Sequence, residues 1–265
     1  MILDAFKLDK KIAIITGAGR GVGKGIALGF AEAGATVICI ARTQNEIDTT
    51  VSEISQSGGD ALAICCDVTD GVKLADMVNQ VIAKYQRIDI VVNNAGGGGH
   101  GPTDSISRDY VMQTMDLNLF AAINLTRLAA PHIRHVNGSV LNISSGMSSV
   151  AEDNCLPYAT SKAGLEQATR NLAHELAPDI RVNCLRLGAI ETPDFDNLRA
   201  AYPGVEDGLV AWTPVKRLGQ PRDVALAALF LCSSAGSFNT GVVLDVDGGI
   251  LLQRGVLAIM KGPDG

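Results

Sequence analysis

Short apolar runs alternate along the chain with segments of helical period. Residues 12–15 form a continuous apolar run, followed by a Gly-rich turn and a helical pattern at 26–30. Residues 37–40, 61–65, 88–92, 139–143, 180–185 and 242–246 repeat the short apolar type, as buried strands do. Between them lie helical patterns at 46–56, 70–85, 108–133 and 158–176, the first closed by Gly58-Gly59 and the last by Pro178. This alternation predicts right-handed βαβ crossovers and an α/β fold. The expected form is a single doubly wound parallel sheet of Rossmann type, with about seven strands and helices on both faces. In such sheets ligands bind beyond the carboxyl ends of the strands, at the switch in strand order. Residues 188–212 lack clear periodicity and contain two prolines; they are expected to form a mobile substrate loop. No linker or low-complexity segment divides the chain, so residues 1–265 are expected to form one domain.

Composition fits that picture. Hydrophobic residues make up 47% of the chain and aromatics only 4%, so the core is aliphatic, as suits a parallel sheet covered on both faces. The net charge of -6 and the scattered Lys and Arg argue against a nucleic-acid partner. None of the six cysteines has CxxC spacing, and they read as buried thiols in a reducing cytosol. The four histidines show no metal-binding spacing, and no metal is expected. The N-terminus MILDAFKLDKK has no long apolar stretch, and no apolar run reaches about 18 residues. A cytoplasmic protein without a membrane span is expected.

The first strand is followed by Thr16-Gly-Ala-Gly-Arg-Gly-Val-Gly23 and then a helix. Glycines let the backbone turn tightly and approach a pyrophosphate, and the helix N-terminus adds free N–H donors and partial positive charge. Alone, such a turn is a weak signal; its place between strand and helix makes it a dinucleotide loop, with Gly17, Gly21 and Val22 against the phosphates. No Gly-Lys-Ser/Thr follows, so it is not a Walker A loop. The second strand ends Ile40-Ala41-Arg42-Thr43 without the acid that would bond a ribose 2′-hydroxyl. Arg42, with Thr43 beside it and Arg20 from the loop, favours NADP(H) over NAD(H), unless both arginines simply face water. Asp67, with Val68 after the third strand, suits either acceptance from an adenine amino group or a helix N-cap.

Tyr158-Ala-Thr-Ser-Lys162 places Tyr158 and Lys162 on one helix face. A nearby ammonium favours the phenolate and lowers the pKa of a tyrosine from about 10, toward the range useful in proton transfer. By itself this spacing usually marks an exposed helix face. Here Ser144-Ser145 closes the fifth strand, where a hydroxyl can orient a substrate oxygen, and Asn93-Asn94-Ala95-Gly96 closes the fourth, where small residues let a cofactor pass. Asn118 sits mid-helix, a locally unfavourable place that suggests a specific role or a satisfied core amide.

In order and approximate spacing, TGAGRGVG, CDVTD, NNAG, Asn118, the Ser145 region, YATSK and VNCLRLGAIET resemble the short-chain dehydrogenase/reductase family from about residue 8 to 249. Within the family, NNAGGGGHGP, GAIETPD and TPVKRLGQPRDVALAALFLCS are most similar to bacterial hydroxysteroid dehydrogenases of the 7α type. The resemblance implies a catalytic tetrad of Asn118, Ser145, Tyr158 and Lys162, with Ser145 rather than Ser144 fitting the family's spacing to the tyrosine. It implies that Lys162 also holds the nicotinamide ribose and that Asn118 helps anchor a relay water. Asn94, Ala95 and Gly96 would line the cofactor, and Ile190 and Thr192 would hold the carboxamide. The family's Pro-Gly after the sixth strand is Leu187-Gly188 here, which is expected to loosen the turn before Ile190.

The expected activity is NADP(H)-dependent interconversion of a secondary alcohol and a ketone by hydride transfer, on a hydroxysteroid or other bulky cyclic substrate. Reduction of a 3-oxoacyl carrier protein is the alternative enzyme reading. It is disfavoured by Glu191, Asp194, Asp196, Glu206 and Asp207, which only Arg199 opposes. A non-catalytic NADP-binding regulator would be free to lose Tyr158, Lys162 or Ser145, and all three are present. Family resemblance implies a homotetramer. The tail at 253–265 is longer than the last strand needs, and is expected either to cross to a neighbouring subunit or to fray.

Overall fold

The predicted runs pair into one parallel sheet. In the computed structural model, which describes residues 1–252, the strands are β1 (Ile12–Thr16), β2 (Thr36–Ala41), β3 (Asp60–Cys65), β4 (Ile90–Asn93), β5 (Ser139–Ser145), β6 (Arg181–Leu187) and β7 (Val243–Val246). Their order is β3-β2-β1-β4-β5-β6-β7. The chain builds outward from β1 to β3 on one side, then returns to start β4 beside β1. The switch point therefore lies between the carboxyl ends of β1 and β4. Residues 253–265, expected to cross to a neighbour or fray, lie outside the described residues.

Side chains alternate between the faces of a strand, and the cores divide accordingly. Ala13, Ile15, Val37, Cys39, Val92 and Leu141 face Ile26 and Phe30 of α1 (Gly21–Glu32), Ile47 and Ile54 of α2 (Gln44–Gln56), and Val224 and Leu231 of α9 (Pro221–Cys232). Ile14, Ile38, Ile40, Val91, Val140 and Val182 face Leu74 and Val81 of α3 (Gly71–Tyr85) and Leu125 and Ile133 of α5 (Ala121–Arg134). The remaining helices are α4 (Arg108–Met115), α6 (Leu156–Leu176), α7 (Pro193–Ala201) and α8 (Val205–Trp212).

Three expectations change. The helical pattern at 108–133 runs without a break but is not regular: α4 and α5 are joined by a π-helical turn, Asp116–Phe120, that widens the helix around Asn118. The unperiodic segment 188–212 folds largely into α7 and α8, each too short for a clear period. Helix α9 was not anticipated; Pro221 opens it, and Gln220 and Asp223 form a reciprocal cap. It lies so close to α1 that a Cβ on Gly25 would stand 2.5 Å from Pro221 Cβ.

The starts of β1 and β4 are tied by Asp89, whose side chain is 1% exposed. Its carboxylate accepts from the Ile12 N–H at 3.0 Å, Lys11 at 3.1 Å, and Arg87 at 2.8 and 2.6 Å. Burial pushes its pKa up, but the hydrogen bonds from Arg87, Ile12 and Lys11 outweigh burial and hold the carboxyl below its usual range. Because the folded value is depressed, the stability contribution is present above about pH 4 and is lost as pH falls through the folded value. Asp89→Ala is expected to cost about 1–3 kcal/mol at neutral pH, since it orphans the Ile12 N–H while Lys11 and Arg87 remain part-solvated. Asp89→Asn is expected to flatten the acid limb of stability, both checked by urea unfolding between neutral and strongly acid pH.

Candidate active site

The Gly-rich turn lies on the carboxyl side of β1. Gly17 and Gly21 adopt φ of +66° and +55°, the left-handed region that glycine enters without strain. Asn94, past the end of β4, donates its side-chain N–H to the carbonyls of Thr16 at 2.9 Å and Gly17 at 3.3 Å. Thr16 Oγ1 accepts from the N–H groups of Asn94 and Ala95, each at 3.0 Å. These bonds fix the two sides of the switch point relative to one another. No side chain caps the N-terminus of α1, and its first N–H groups remain available to an anion. Tight packing keeps the loop bare of side chains: a Cβ on Gly17 would fall 2.7 Å from Asn94 Nδ2, and one on Gly23 2.2 Å from the Gly17 carbonyl.

A cavity of about 640 Å³ runs across this edge of the sheet. At one end it is walled by Arg42, Thr43, Asp67 and Val68, and its floor is Gly17, Arg20, Gly21 and Val22. At the other end stand Asn94, Ala95, Gly96, Ser145, Tyr158, Lys162, Ile190 and Thr192. The residues present fit a dinucleotide: a bare glycine floor with free N–H groups for the pyrophosphate, and a polar pocket at each end. Of the residues named from sequence, only Asn118 stays outside the lining. It lies just behind, and a Cβ on Gly96 would stand 2.6 Å from Asn118 Oδ1 and 3.1 Å from Lys162 Nζ.

The Asn118 amide is fully used by backbone. Oδ1 accepts from Gly97 N at 2.9 Å, and Nδ2 donates to the carbonyls of Gly97 and Thr114, both at 3.0 Å. Asn118, within the π turn, is thus both a satisfied core amide and the support of the Gly96–Gly97 wall.

Tyr158 and Lys162 lie one turn apart at the N-terminal end of α6. Lys162 Nζ is buried, donates to the Ile143 carbonyl at 2.8 Å, and stands 5.7 Å from the centre of the Tyr158 ring. Burial pushes its pKa down to about 8. The Tyr158 phenol is pushed up by burial, and a hydrogen bond with Ser145 opposes that rise. This corrects the expectation that Lys162 lowers the phenol: the ammonium lies under the ring, engaged with Ile143, and both groups are desolvated. Ser145 Oγ accepts from Met147 N at 3.3 Å, leaving its proton free for Tyr158 or a substrate oxygen.

Tyr158 is also held from the Gly97–Thr103 loop. Its N–H donates to the Gly99 carbonyl at 3.3 Å, and Gly99 N donates to Tyr110 Oη at 3.1 Å. The His100 ring stacks on the Tyr158 ring, centres 5.4 Å apart. His100, Glu46 and Asp194 line the cavity as well. His100 entered the sequence reading only inside the motif NNAGGGGHGP, and spacing gives no signal for the other two.

The adenosine end differs from the two-arginine expectation. Arg20 pairs with Asp194 of α7 at 3.0 Å, which leaves Arg42 as the guanidinium of that corner. Asp67 is not the N-cap of α3; Asp70 caps it, accepting from Val72 N and Lys73 N. Asp67 instead accepts from Thr69 N at 3.0 Å and Thr69 Oγ1 at 2.8 Å, and the Thr69 N–H is the main cause of its lowered pKa. Five cysteines are buried, but Cys65 is exposed, its thiol on the Arg42 carbonyl at 3.2 Å.

The turn after β6 is firm without proline. Leu187 continues the pairing with Val246, Gly188 N donates to the Val246 carbonyl at 3.1 Å, and Ile190 bridges Gly219. Arg199 joins Glu191, Asp196 and Glu206 at 3.2, 2.6 and 2.7 Å, so the acidic stretch is largely paired internally. Among the described residues no His, Cys, Asp and Glu group is placed to hold a metal ion, and no helix is long and apolar enough to cross a membrane.

The profile of a family described as Enoyl-(Acyl carrier protein) reductase matches residues 17–251. The chain is 42% identical over 249 residues to the 7alpha-hydroxysteroid dehydrogenase of Escherichia coli (strain K12), covering 93% of this chain and 96% of that one. The chain belongs to the short-chain dehydrogenase/reductase family. It is an NAD(P)-dependent dehydrogenase or reductase of alcohol and ketone substrates. Its structure is similar to that of a 7α-hydroxysteroid dehydrogenase complexed with NADH and 7-oxo glycochenodeoxycholic acid, with a TM-score of 0.89, 41% identity, and 93% and 96% of the two chains covered. It is also similar to a gluconate 5-dehydrogenase from Burkholderia cenocepacia in complex with NADP and tartrate, with a TM-score of 0.90, 32% identity, and 96% and 100% covered.

For this short-chain dehydrogenase, Gly23→Ala is expected to drive α1 away from the Gly17 carbonyl. NADH and NADPH should then both bind about tenfold more weakly or worse, measured by titration calorimetry on a protein that remains folded.

Proposed function

We propose that this enzyme interconverts a secondary alcohol and a ketone on a bulky cyclic substrate, a hydroxysteroid being the first choice, with NADP(H) preferred over NAD(H). The observation that carries the reading is the convergence of Tyr158, Ser145 and Lys162 beside a dinucleotide-shaped cavity. In this reading the nicotinamide, when bound, supplies or accepts the hydride. Ser145 Oγ–H bonds the substrate oxygen and orients it. Tyr158 Oη gives that oxygen its proton in reduction and takes it back in oxidation. Lys162, anchored on the Ile143 carbonyl, holds the nicotinamide ribose hydroxyls. Asn118 supports the wall at Gly96 and Gly97 and with it the relay to Lys162. The cofactor contacts are assigned to Gly17, Arg20, Gly21, Val22, Arg42, Thr43, Asp67, Val68, Asn94, Ala95, Gly96, Ile190 and Thr192.

The preference for NADP(H) rests on Arg42, the guanidinium at the end of β2, where an acid would serve a free 2′-hydroxyl. The relative with NADH bound makes the other cofactor the direct competitor. The bulky substrate rests on that relative's oxo-bile acid and on exposed Leu156 of α6, Leu198 of α7, Tyr202 just after α7 and Trp212 of α8. Residues 188–212 are assigned as the substrate segment of a single domain spanning 1–265. A cytoplasmic homotetramer is the assembly this reading carries with it.

A panel of 7-oxo bile acids, simple cyclic ketones and sugar acids, assayed with NADPH and NADH, tests the substrate class; turnover confined to sugar acids overturns it. Tyr158→Phe is expected to keep nucleotide affinity and lose turnover by about 10²–10⁴-fold, by stopped-flow absorbance. Arg42→Ala is expected to weaken NADPH by about tenfold or more and to leave NADH nearly unchanged, by fluorescence titration. Equal losses for the two remove the cofactor assignment.

A further inference from the structure

Glu166 is a buried carboxylate that the proton chemistry above does not use. It follows Tyr158 and Lys162 on α6 at the same four-residue interval, so all three occupy one face of the helix. It is 4% exposed. Its Oε1 accepts from Ser144 Oγ at 2.9 Å, from Ser148 Oγ, and from Arg186 Nε at 2.9 Å. Its Oε2 accepts from Arg186 at 2.7 Å, and Arg186 also reaches Asp245 at 3.2 Å. The two serines stand on either side of Ser145, one residue before it on β5 and three after it at the end of the turn Gly146–Ser148. The same helix is pinned to β5 one turn earlier by Lys162 on the Ile143 carbonyl.

We propose that Glu166 is a positioning residue for the reaction: it clamps Ser144 and Ser148 from behind and so fixes the Ser145 hydroxyl relative to Tyr158. This rests on Ser145 acting on the substrate oxygen as proposed above. A buried ion pair such as Glu166–Arg186 gives little net stability over apolar residues of the same volume, whereas removing one partner alone strands a buried charge. The pair is kept in this reading for geometry, since its carboxylate also supplies the acceptor for two serine hydroxyls that span the reacting group.

The test separates geometry from stability. Glu166→Gln is expected to lower kcat about tenfold or more for the fastest panel ketone, with KM and the NADPH Kd within about twofold of wild type, and to lower Tm. In Glu166→Leu/Arg186→Leu, which strands neither charge, Tm is expected to recover while kcat stays low. Ser144→Ala/Ser148→Ala leaves the ion pair intact and is expected to reproduce the loss of kcat with little change in Tm; it decides the matter if the leucine pair does not fold. Recovery of kcat together with Tm in the leucine pair overturns the proposal, as does normal kcat in the serine pair. Ser145→Ala tells the two readings apart. Wild-type turnover in that variant removes Ser145 from the chemistry. Lost turnover there, beside normal turnover in the serine pair, removes only the clamp.

Discussion

Burying an ammonium group is costly, and the site is organised around the one at Lys162. Its Nζ has the Ile143 carbonyl on one side and the Tyr158 ring on another, while a side chain at Gly96 would crowd it. Desolvation brings its pKa to about 8, so the cation is held with little to spare. A group in that condition can change its proton with small changes in its surroundings. It can do so only if those surroundings do not drift. The carboxyl end of β5, the first two turns of α6 and the wall supported by Asn118 all meet at this nitrogen.

The nucleotide cradle depends on a second set of bonds, at the switch between β1 and β4. Asn94 and Thr16 exchange hydrogen bonds there that hold the glycine loop bare and the first turn of α1 unobstructed. Asp89 ties the opposite ends of the same two strands. The cleft is thus braced at both ends of one strand pair; the anion floor follows β1, and the proton groups stand at the end of β5 and on α6, with β4 between them.

Strands and dinucleotide loop were legible because their signals are local: continuous apolar runs, and glycines between strand and helix. Tyr158 and Lys162 gained meaning only from company, once Ser145 and Asn118 fell at the same edge. What sequence could not supply was long-range. The π turn carries an Asn118 amide that meets Gly97 across space, and nothing in the pattern at 108–133 announces it. Arg20 was read toward the 2′ position; that it also pairs with Asp194, on a helix too short to show a period, could not be read in advance. The firmness of the turn at Leu187-Gly188 comes from β7, some sixty residues later. The phenol of Tyr158 answers to burial more than to its charged neighbour, and burial is a property of the packed molecule.

The glycine loop between β4 and α4 touches Tyr158 through main chain: the Gly99 carbonyl takes the tyrosine's own N–H. That wall of the cavity and Tyr158 are therefore joined through main chain. With Tyr158 as the proton donor proposed above, a ligand that presses the loop outward shifts the group that protonates it. In that reading oversized molecules are discriminated at the chemical step rather than at the door: they are held and yet not converted. Selectivity of that kind lives in the rate, and an inventory of what binds will overstate what is turned over.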